Sequence, residues 1–321
     1  MSQAIHHRST FSRRIGQLPL AGALAALFCL PISGLAQENT KQTVIPEVTY
    51  SFQTVNYPGD TFTQLLGINN KKEIAGYHGS GAAGHPNQGF VLTLPGTFTK
   101  ENYPGSVQTQ VIGINNNNAV TVTDGFYIDS HGVNHGFLKV GNNFSTIDFP
   151  GSTFNQLLGL NTQHQAVGFF NDAAGNSHGY TVEEFTPIGR VFSVLTIPNA
   201  PSRQVTGVNQ LGELCGFYVE NGVSHGFTLT FGVFTPLNFP GASSTTAFGL
   251  NDNGQVVGTY TDAGGLIHGF VYSAGSFQSV DDPSGFGATI INGINNNGVI
   301  VGFFGSCASG GTTCSGFVGM P

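Results

Sequence analysis

Residues 247–282, AFGLNDNGQVVGTYTDAGGLIHGFVYSAGSFQSVDD, contain four short extended runs: AFGLN, QVVGTY, GFVYS and FQSVDD. The runs are rich in Val, Phe, Tyr and Thr, and turn residues separate them, which is typical of β-strands joined by tight connections. Four strands in about 45 residues are typical of one blade of a β-propeller. We label these strands A, B, C and D in chain order.

The same pattern recurs six times along the chain. A Gly-(apolar)-Asn triplet ends strand A of each copy, and its glycines are 46, 46, 48, 42 and 44 residues apart. The asparagines of the six triplets are Asn69, Asn115, Asn161, Asn209, Asn251 and Asn295. Six copies nearly fill the chain, so we predict an all-β fold, a six-bladed β-propeller of four-stranded blades. A β-helix or β-solenoid is the main alternative.

The two ends of the repeat region are incomplete copies. Residues 51–57 have the pattern of a strand D, whereas the last strand, near residues 315–318, has the pattern of a strand C. We therefore expect the N-terminal strand to pair with the C-terminal blade, because this closure removes both exposed sheet edges. The propeller would then span residues 51–321.

The N-terminal segment differs in character from the repeats. Three arginines precede an uncharged run over residues 18–36 that is rich in Leu and Ala, and Gly34 and Ala36 are small residues before a cleavage site. These features predict a secretory signal peptide over residues 1–36, followed by a linker over residues 37–50. The alternative is an uncleaved membrane anchor, because about 20 apolar residues can span a bilayer.

Charge is scarce in this chain and mostly negative. Only 8% of the 321 residues are charged, and removing the signal peptide takes 3 of the 10 basic residues and leaves 7 against 17 acidic ones. An acidic protein with scattered basic residues is not a nucleic-acid binder. We expect a monomer with no stable membrane insertion after signal cleavage.

Three of the cysteines lie in the repeat region. Cys307 and Cys314 flank a Gly/Ser/Thr-rich loop, CASGGTTC, and we predict that they form a disulfide in an oxidising compartment. Cys215 lies in an apolar run and reads as a buried thiol. A zinc site would need further ligands near the cysteine pair, and the sequence offers none, so no metal or cofactor is expected.

Four copies contain a His-Gly-aromatic triplet. Its histidines are His135, His178, His225 and His268. In three copies the histidine follows Asp-x-x-Gly-x-x. We interpret this pattern as a hairpin between strands B and C, in which the Asp caps the turn and the His holds the opposite side of the hairpin. An oriented base or a ring of metal ligands is the alternative. We likewise assign the repeated asparagines a structural role, because an Asn side chain bonds the backbone of a following turn.

Three phenylalanines, Phe62, Phe154 and Phe286, stand in the otherwise polar loops that lead from strand D to the next strand A. Aromatic rings on a neutral, amide-rich face could stack on sugar rings, so these three are candidate ligand-stacking residues. Single exposed aromatics are also ordinary on protein surfaces.

The repeat resembles a known family. The pattern GINN-x-G-x-x-x-G, D-x-x-G-x-x-HGF and F-x-x-I-D-F-PG is similar to that of the bacterial extracellular repeat proteins of the HAF family, over about residues 51–318. The resemblance implies export and a repeat-built β fold. It implies no catalytic residues.

These observations favour a secreted, non-enzymatic binding or scaffold module for a glycan or a protein. The alternative is a propeller enzyme of the lactonase, lyase or glycosidase type with a site in the central channel; a structural envelope component is a third hypothesis. A specific partner site would lie where the repeat symmetry breaks. Such breaks occur within residues 116–123, around Glu183, Glu184 and Arg190, and at the cysteine loop.

Overall fold

The structure, a computed structural model, describes residues 47–116, 119–163, 165–186, 189–197, 200 and 202–321, except for the side chains of residues 184–186. The predicted signal peptide and the first ten residues of the predicted linker lie outside the described residues. Within the described ranges, no helix is long and apolar enough to cross a membrane.

Strands A to D of each repeat pair in order into one antiparallel sheet, which confirms the predicted six-bladed propeller. Blade 1 consists of β2 (Thr63–Ile68), β3 (Glu73–His78), β4 (Gln88–Thr93) and β5 (Thr97–Lys100). Blade 2 consists of β6 (Gln108–Ile114), β7 (Val122–Ile128), β8 (Asn134–Val140) and β9 (Asn143–Thr146). Blade 3 consists of β10 (Asn155–Leu160), β11 (Gln165–Asn171), β12 (Ser177–Thr186) and β13 (Gly189–Val194).

The other three blades follow the same order, and a 3-10 helix, Ser306–Ser309, interrupts the last one. Blade 4 consists of β14 (Ser202–Val208), β15 (Leu214–Glu220), β16 (Val223–Thr230) and β17 (Val233–Leu237). Blade 5 consists of β18 (Ser244–Leu250), β19 (Val256–Thr261), β20 (Ile267–Ser273) and β21 (Ser276–Val280). Blade 6 consists of β22 (Thr289–Ile294), β23 (Ile300–Phe304), β24 (Ser315–Met320) and β1 (Ser51–Val55).

The N-terminal strand closes the ring. Strand β1 pairs antiparallel with β24, with Ser51 opposite Met320 and Val55 opposite Gly316. Blade 6 therefore takes three strands from the C-terminus and one from the N-terminus, as the sequence predicts.

The repeated Gly-(apolar)-Asn triplet has a packing explanation. Strands A form the inner ring, and each A–B pair contains a register shift beside the glycine, as between Leu65 and Gly67. A Cβ on Gly67 would lie 2.5 Å from the carbonyl oxygen of Ile112 in the next blade. Only glycine therefore lets neighbouring inner strands approach this closely.

The repeated aromatic on strand C forms the core of each blade. All six of these side chains are fully buried: Phe90, Phe137, Tyr180, Phe227, Phe270 and Phe317. Further apolar residues pack between neighbouring sheets, as Ile147 of blade 2 does with Ala166 and Val182 of blade 3.

The repeated asparagines bond the turn after strand A and also connect blades. The side-chain oxygen of Asn251 accepts the backbone N–H groups of Asn253 at 3.1 Å and Gln255 at 3.0 Å. Its Nδ2 donates to the carbonyl oxygen of Asn295 in the next blade at 2.9 Å. The same inter-blade bond runs from Asn161 to Asn209, from Asn209 to Asn251 and from Asn295 to Asn69.

The loops divide between two faces. The A–B and C–D turns lie at one end of the blades, which we call the tight-turn face, and the B–C and D–A connections lie at the other, the long-loop face. The longest B–C loops, residues 79–87 and 305–314, belong to the adjacent blades 1 and 6. The predicted disulfide between Cys307 and Cys314 lies in the second of them.

Candidate functional site

The inner strands surround a central cavity of about 360 Å³. Because strands A occupy equivalent positions around the axis, residues at the same repeat position form a level. The level nearest the long-loop face contains four glutamines from consecutive blades: Gln64, Gln110, Gln156 and Gln204. Blades 5 and 6 have Thr246 and Ile290 at this position.

Outer side chains orient three of these four glutamines. The Tyr77 hydroxyl donates to Gln64 Oε1 at 2.7 Å, and Gln64 Nε2 lies 3.6 Å from the Cys314 sulfur. The remaining bonds run from Gln156 Nε2 to Asn134 Oδ1 and from Gln204 Nε2 to Ser177 Oγ, each at 3.4 Å. A carboxamide offers two donor hydrogens and two acceptor lone pairs, so these bonds leave capacity for a ligand.

Below the glutamines the cavity becomes more apolar. The second level consists of Leu66, Ile112, Leu158, Thr206, Phe248 and Asn292, and the third of Ile68, Ile114, Leu160, Val208, Leu250 and Ile294. The Oδ1 atom of Asn292 is buried and has no hydrogen-bond partner among the described residues. The repeated asparagines follow, and four of them line a second cavity of about 60 Å³: Asn115, Asn209, Asn251 and Asn295.

The described residues that line the central cavity are all uncharged. General acid–base catalysis requires a titratable group within reach of the substrate. The lining instead offers amide groups above an apolar floor, which suits a neutral ligand that has both polar groups and a hydrocarbon face.

The four repeated histidines lie on the long-loop face, away from the cavity. His135 Nδ1 bonds Asp148 at 2.6 Å, His268 Nδ1 bonds Asp281 at 2.7 Å, and His178 Nε2 bonds Asp172 at 2.8 Å. His225 Nδ1 bonds Asn238 at 2.9 Å. Each imidazole also stacks on an aromatic ring of strand B, so each histidine serves its own blade.

The repeated aspartates cap the B–C turns. Asp129 Oδ1 accepts the N–H groups of Val133 at 2.8 Å and His131 at 2.9 Å. These backbone bonds, with the neighbouring imidazole, lower the pKa of Asp129 to about 2. Asp172 and Asp262 accept equivalent bonds, and the pKa of each lies below its ordinary value.

The three candidate stacking phenylalanines lie in different environments. Phe62 is 6% exposed and packs against Tyr77 in the core, which corrects the expectation that it faces solvent. Phe154 is half-buried against Phe169, with ring centroids 5.7 Å apart. Phe286 is 71% exposed beside His268 and remains the accessible ring of the three.

Two of the three symmetry breaks lie on the tight-turn face. Residues 117 and 118 and the Glu184 side chain are outside the described residues. Arg190 Nη1 donates to the Thr146 carbonyl oxygen at 2.8 Å, so the irregular hairpin of blade 3 contacts blade 2. The third break, the cysteine loop, lies on the long-loop face.

A buried carboxyl group lies between blades 2 and 3. Asp124 Oδ1 accepts the Gly113 N–H at 2.7 Å and also the Gly159 N–H. Its Oδ2 is buried and has no partner among the described residues. Burial raises the pKa of Asp124 to about 7, because its effect is larger than that of the two backbone hydrogen bonds, which lower the pKa. Other blades have Ala75, Val167, Cys215, Val257 and Val301 at this position.

We expect the free energy of unfolding to decrease as pH rises from 5 to 8. The folded-state pKa of Asp124 exceeds its ordinary value, so its protonated form favours folding. This contribution is lost progressively as pH rises from the ordinary carboxyl pKa of about 4 through the folded-state value of about 7, because the unfolded chain ionises first. Asp124→Asn keeps the acceptor but cannot ionise. Urea titrations should show that the wild type loses about 2 kcal/mol more than the variant between these pH values. Parallel pH profiles would contradict this assignment.

Among the described residues, no group of three or more His, Cys, Asp or Glu side chains is arranged to hold a metal ion.

Sequence reasoning missed the glutamine level. A signal for it existed, because in four copies a Gln stands three residues before the glycine of the repeated triplet. The pattern does not show which strand faces the axis.

No family model matches the chain, and no curated protein matches it. Similar solved structures include a fucose-specific lectin from Aleuria aurantia, at 11% identity and a TM-score of 0.48, covering 85% of this chain and 96% of that one. A gluconolactonase from Xanthomonas campestris shows 10% identity and a TM-score of 0.47, covering 85% and 90%. Ycf48 bound to a D1 peptide shows 12% identity and a TM-score of 0.40, covering 81% and 80%. These similarities concern the fold alone.

Proposed function

We propose that this chain is a secreted binding module whose central channel takes a neutral sugar residue of a glycan without catalysing its conversion. The observation that carries the proposal is the level of four glutamines above an apolar floor. Sugars present hydroxyl groups that amides bond and C–H faces that pack on apolar side chains. A neutral segment of a protein partner is the second ligand class that this chemistry fits.

Export is part of the proposal. The N-terminal sequence pattern and the resemblance to extracellular HAF repeats support it. The Cys307–Cys314 disulfide supports it further, because structural disulfides persist in oxidising compartments.

Binding is favoured over catalysis in the channel because of its lining. A lactonase, lyase or glycosidase mechanism needs carboxylates, imidazoles or a metal at the reacting bond. The described lining residues are Gln, Asn, Thr, Gly and apolar types. They can orient a ligand, but they have no side chain that exchanges a proton near neutral pH.

A glycan array followed by titration of the strongest hit tests the channel. We expect the double variant Gln110→Leu/Gln156→Leu to weaken binding by about tenfold or more, because it removes amide hydrogen bonds to the ligand. The matched control is Gln163→Leu, an exposed turn position where blade 4 already has Leu211. Equal affinities of the double variant and the control would exclude the channel. Turnover of a hit that the double variant abolishes would favour the enzyme alternative.

A further inference from the structure

Within the described ranges, blade 1 has a polar cluster on the long-loop face, Asp60, His78, Ser80 and His85, that is not repeated as a set in the other blades. Asp60 and His78 replace residue types that recur elsewhere, and Ser80 and His85 belong to the extended loop 79–87. The equivalents of Asp60 are Ser106, Ser152 and Ala242, and those of His78 are Tyr127, Phe170, Tyr218, Tyr260 and Phe304. Because sister blades fold without this cluster, the blade architecture does not require it.

The cluster is tightly bonded around the Asp60 carboxylate. Asp60 Oδ2 lies 2.8 Å from His78 Nδ1 and 2.9 Å from His85 Nε2, while Oδ1 accepts the Phe62 N–H at 2.8 Å. The other ring nitrogen of His85, Nδ1, lies 3.1 Å from Ser80 Oγ. Ser80, His85 and Asp60 thus form a continuous chain of hydrogen bonds.

The tautomer of His85 follows from its hydrogen-bond partners. The Ser80 backbone N–H donates to His85 Nδ1 at 3.3 Å, so this nitrogen carries a lone pair and the ring proton is on Nε2, facing Asp60. Burial would raise the pKa of Asp60, but hydrogen bonds from His78, His85 and the Phe62 backbone outweigh it and lower the pKa. The carboxylate therefore stays ionised and orients an imidazole whose basic nitrogen faces a hydroxyl group.

A cavity of about 290 Å³ between blades 1 and 6 borders Asp60, at the end of this hydrogen-bonded series opposite Ser80. Its lining includes Asp60, Thr61, Phe304 and Cys314. The Cys307–Cys314 disulfide fixes one side of the cavity. The His85 side chain is 41% exposed, so this end of the hydrogen-bonded series is open to solvent.

We propose that Ser80, His85 and Asp60 form a serine-nucleophile site that hydrolyses small acyl esters. Ser80 Oγ bonds to the ester carbonyl carbon while its proton passes to His85 Nδ1. The C–O bond to the leaving group then breaks, and the alcohol leaves with that proton. Water attacks the acyl-serine, gives a proton to His85 and releases the carboxylic acid, and the His85 proton returns to Ser80. Asp60 is a positioning residue that holds the Nε2 proton. This activity goes beyond the proposed binding role and does not rest on it.

A p-nitrophenyl acetate assay and fluorophosphonate labelling test the proposal on the exported chain. We expect an initial burst of p-nitrophenol, a fluorophosphonate adduct on the Ser80 peptide, and a fall in kcat of at least about 100-fold in Ser80→Ala and in His85→Gln. The labelling uses the wild-type protein, so it remains decisive if a variant folds poorly.

The matched control is Ser224→Ala in blade 4. Ser224 precedes His225, but its hydroxyl donates to the Thr245 carbonyl oxygen at 3.2 Å, and His225 Nδ1 bonds Asn238 at 2.9 Å. The control variant should retain wild-type activity. An unlabelled Ser80, or equal hydrolysis by the wild type and Ser80→Ala, would overturn the proposal.

Discussion

Removal of strand β1 is expected to lower the melting temperature of the whole propeller by about 10 °C or more. Val55 is 8% exposed and belongs to one core cluster with Leu65 and Phe90. Phe52 packs edge-to-face on the fully buried Phe317, with ring centroids 5.4 Å apart. Without the strand, these core residues and the edge of β24 become exposed to water. Differential scanning calorimetry of a chain that begins at Asn56 measures the effect.

A circular permutant is the control for this deletion. Because Ser51 pairs with Met320, residues 51–55 can follow Met320 through an Ala-Gly turn. The same turn joins Ser273 to Ser276 in blade 5. We expect the permutant to melt within a few degrees of the full chain. A truncated chain as stable as the full one would show that closure by β1 contributes nothing.

Lys139→Leu is expected to destabilise the fold by about 3 kcal/mol or more. Lys139 Nζ lies 2.8 Å from Glu101 Oε2, and the Thr123 hydroxyl donates to the other carboxylate oxygen. The Glu101 side chain is only 4% exposed. The variant therefore leaves a buried carboxylate without its counter-charge. Chemical unfolding of this variant and the wild type at pH 7 measures the difference.

Neighbouring blades provide the control for this ion pair. The equivalents of Glu101, Thr123 and Lys139 at the next interface are apolar, namely Ile147, Ala166 and Val182. The triple variant Glu101→Ile/Thr123→Ala/Lys139→Val copies that interface, and we expect it to be within about 1 kcal/mol of the wild type or more stable. Lys100→Leu, at an exposed position beside Glu101, should change stability by less than about 0.5 kcal/mol. Equal stability of Lys139→Leu and Lys100→Leu would contradict the assigned role.

Several site features were beyond sequence reasoning for a common cause. Phe62 and Phe286 stand in equivalent D–A loops, yet one is 6% exposed and the other 71%. Phe62 is covered because it packs in one cluster with Phe303 and with Cys307 and Cys314 of the cysteine loop of blade 6. The sequence identified the loop as irregular but not the residues it covers.

The sequence by itself determined the number of blades, the order of their strands, the closure by β1 and the disulfide. These features repeat locally or follow from counting strands, so the period of the Gly-(apolar)-Asn triplet and its turns is enough to predict them. Only the tertiary structure decided which side chains meet between blades and around the axis. Glu101 meets Lys139, and four glutamines share one level, because adjacent sheets pack in a particular register. That register depends on side-chain volumes and close backbone approach across the interface, which a pattern read along one strand does not contain.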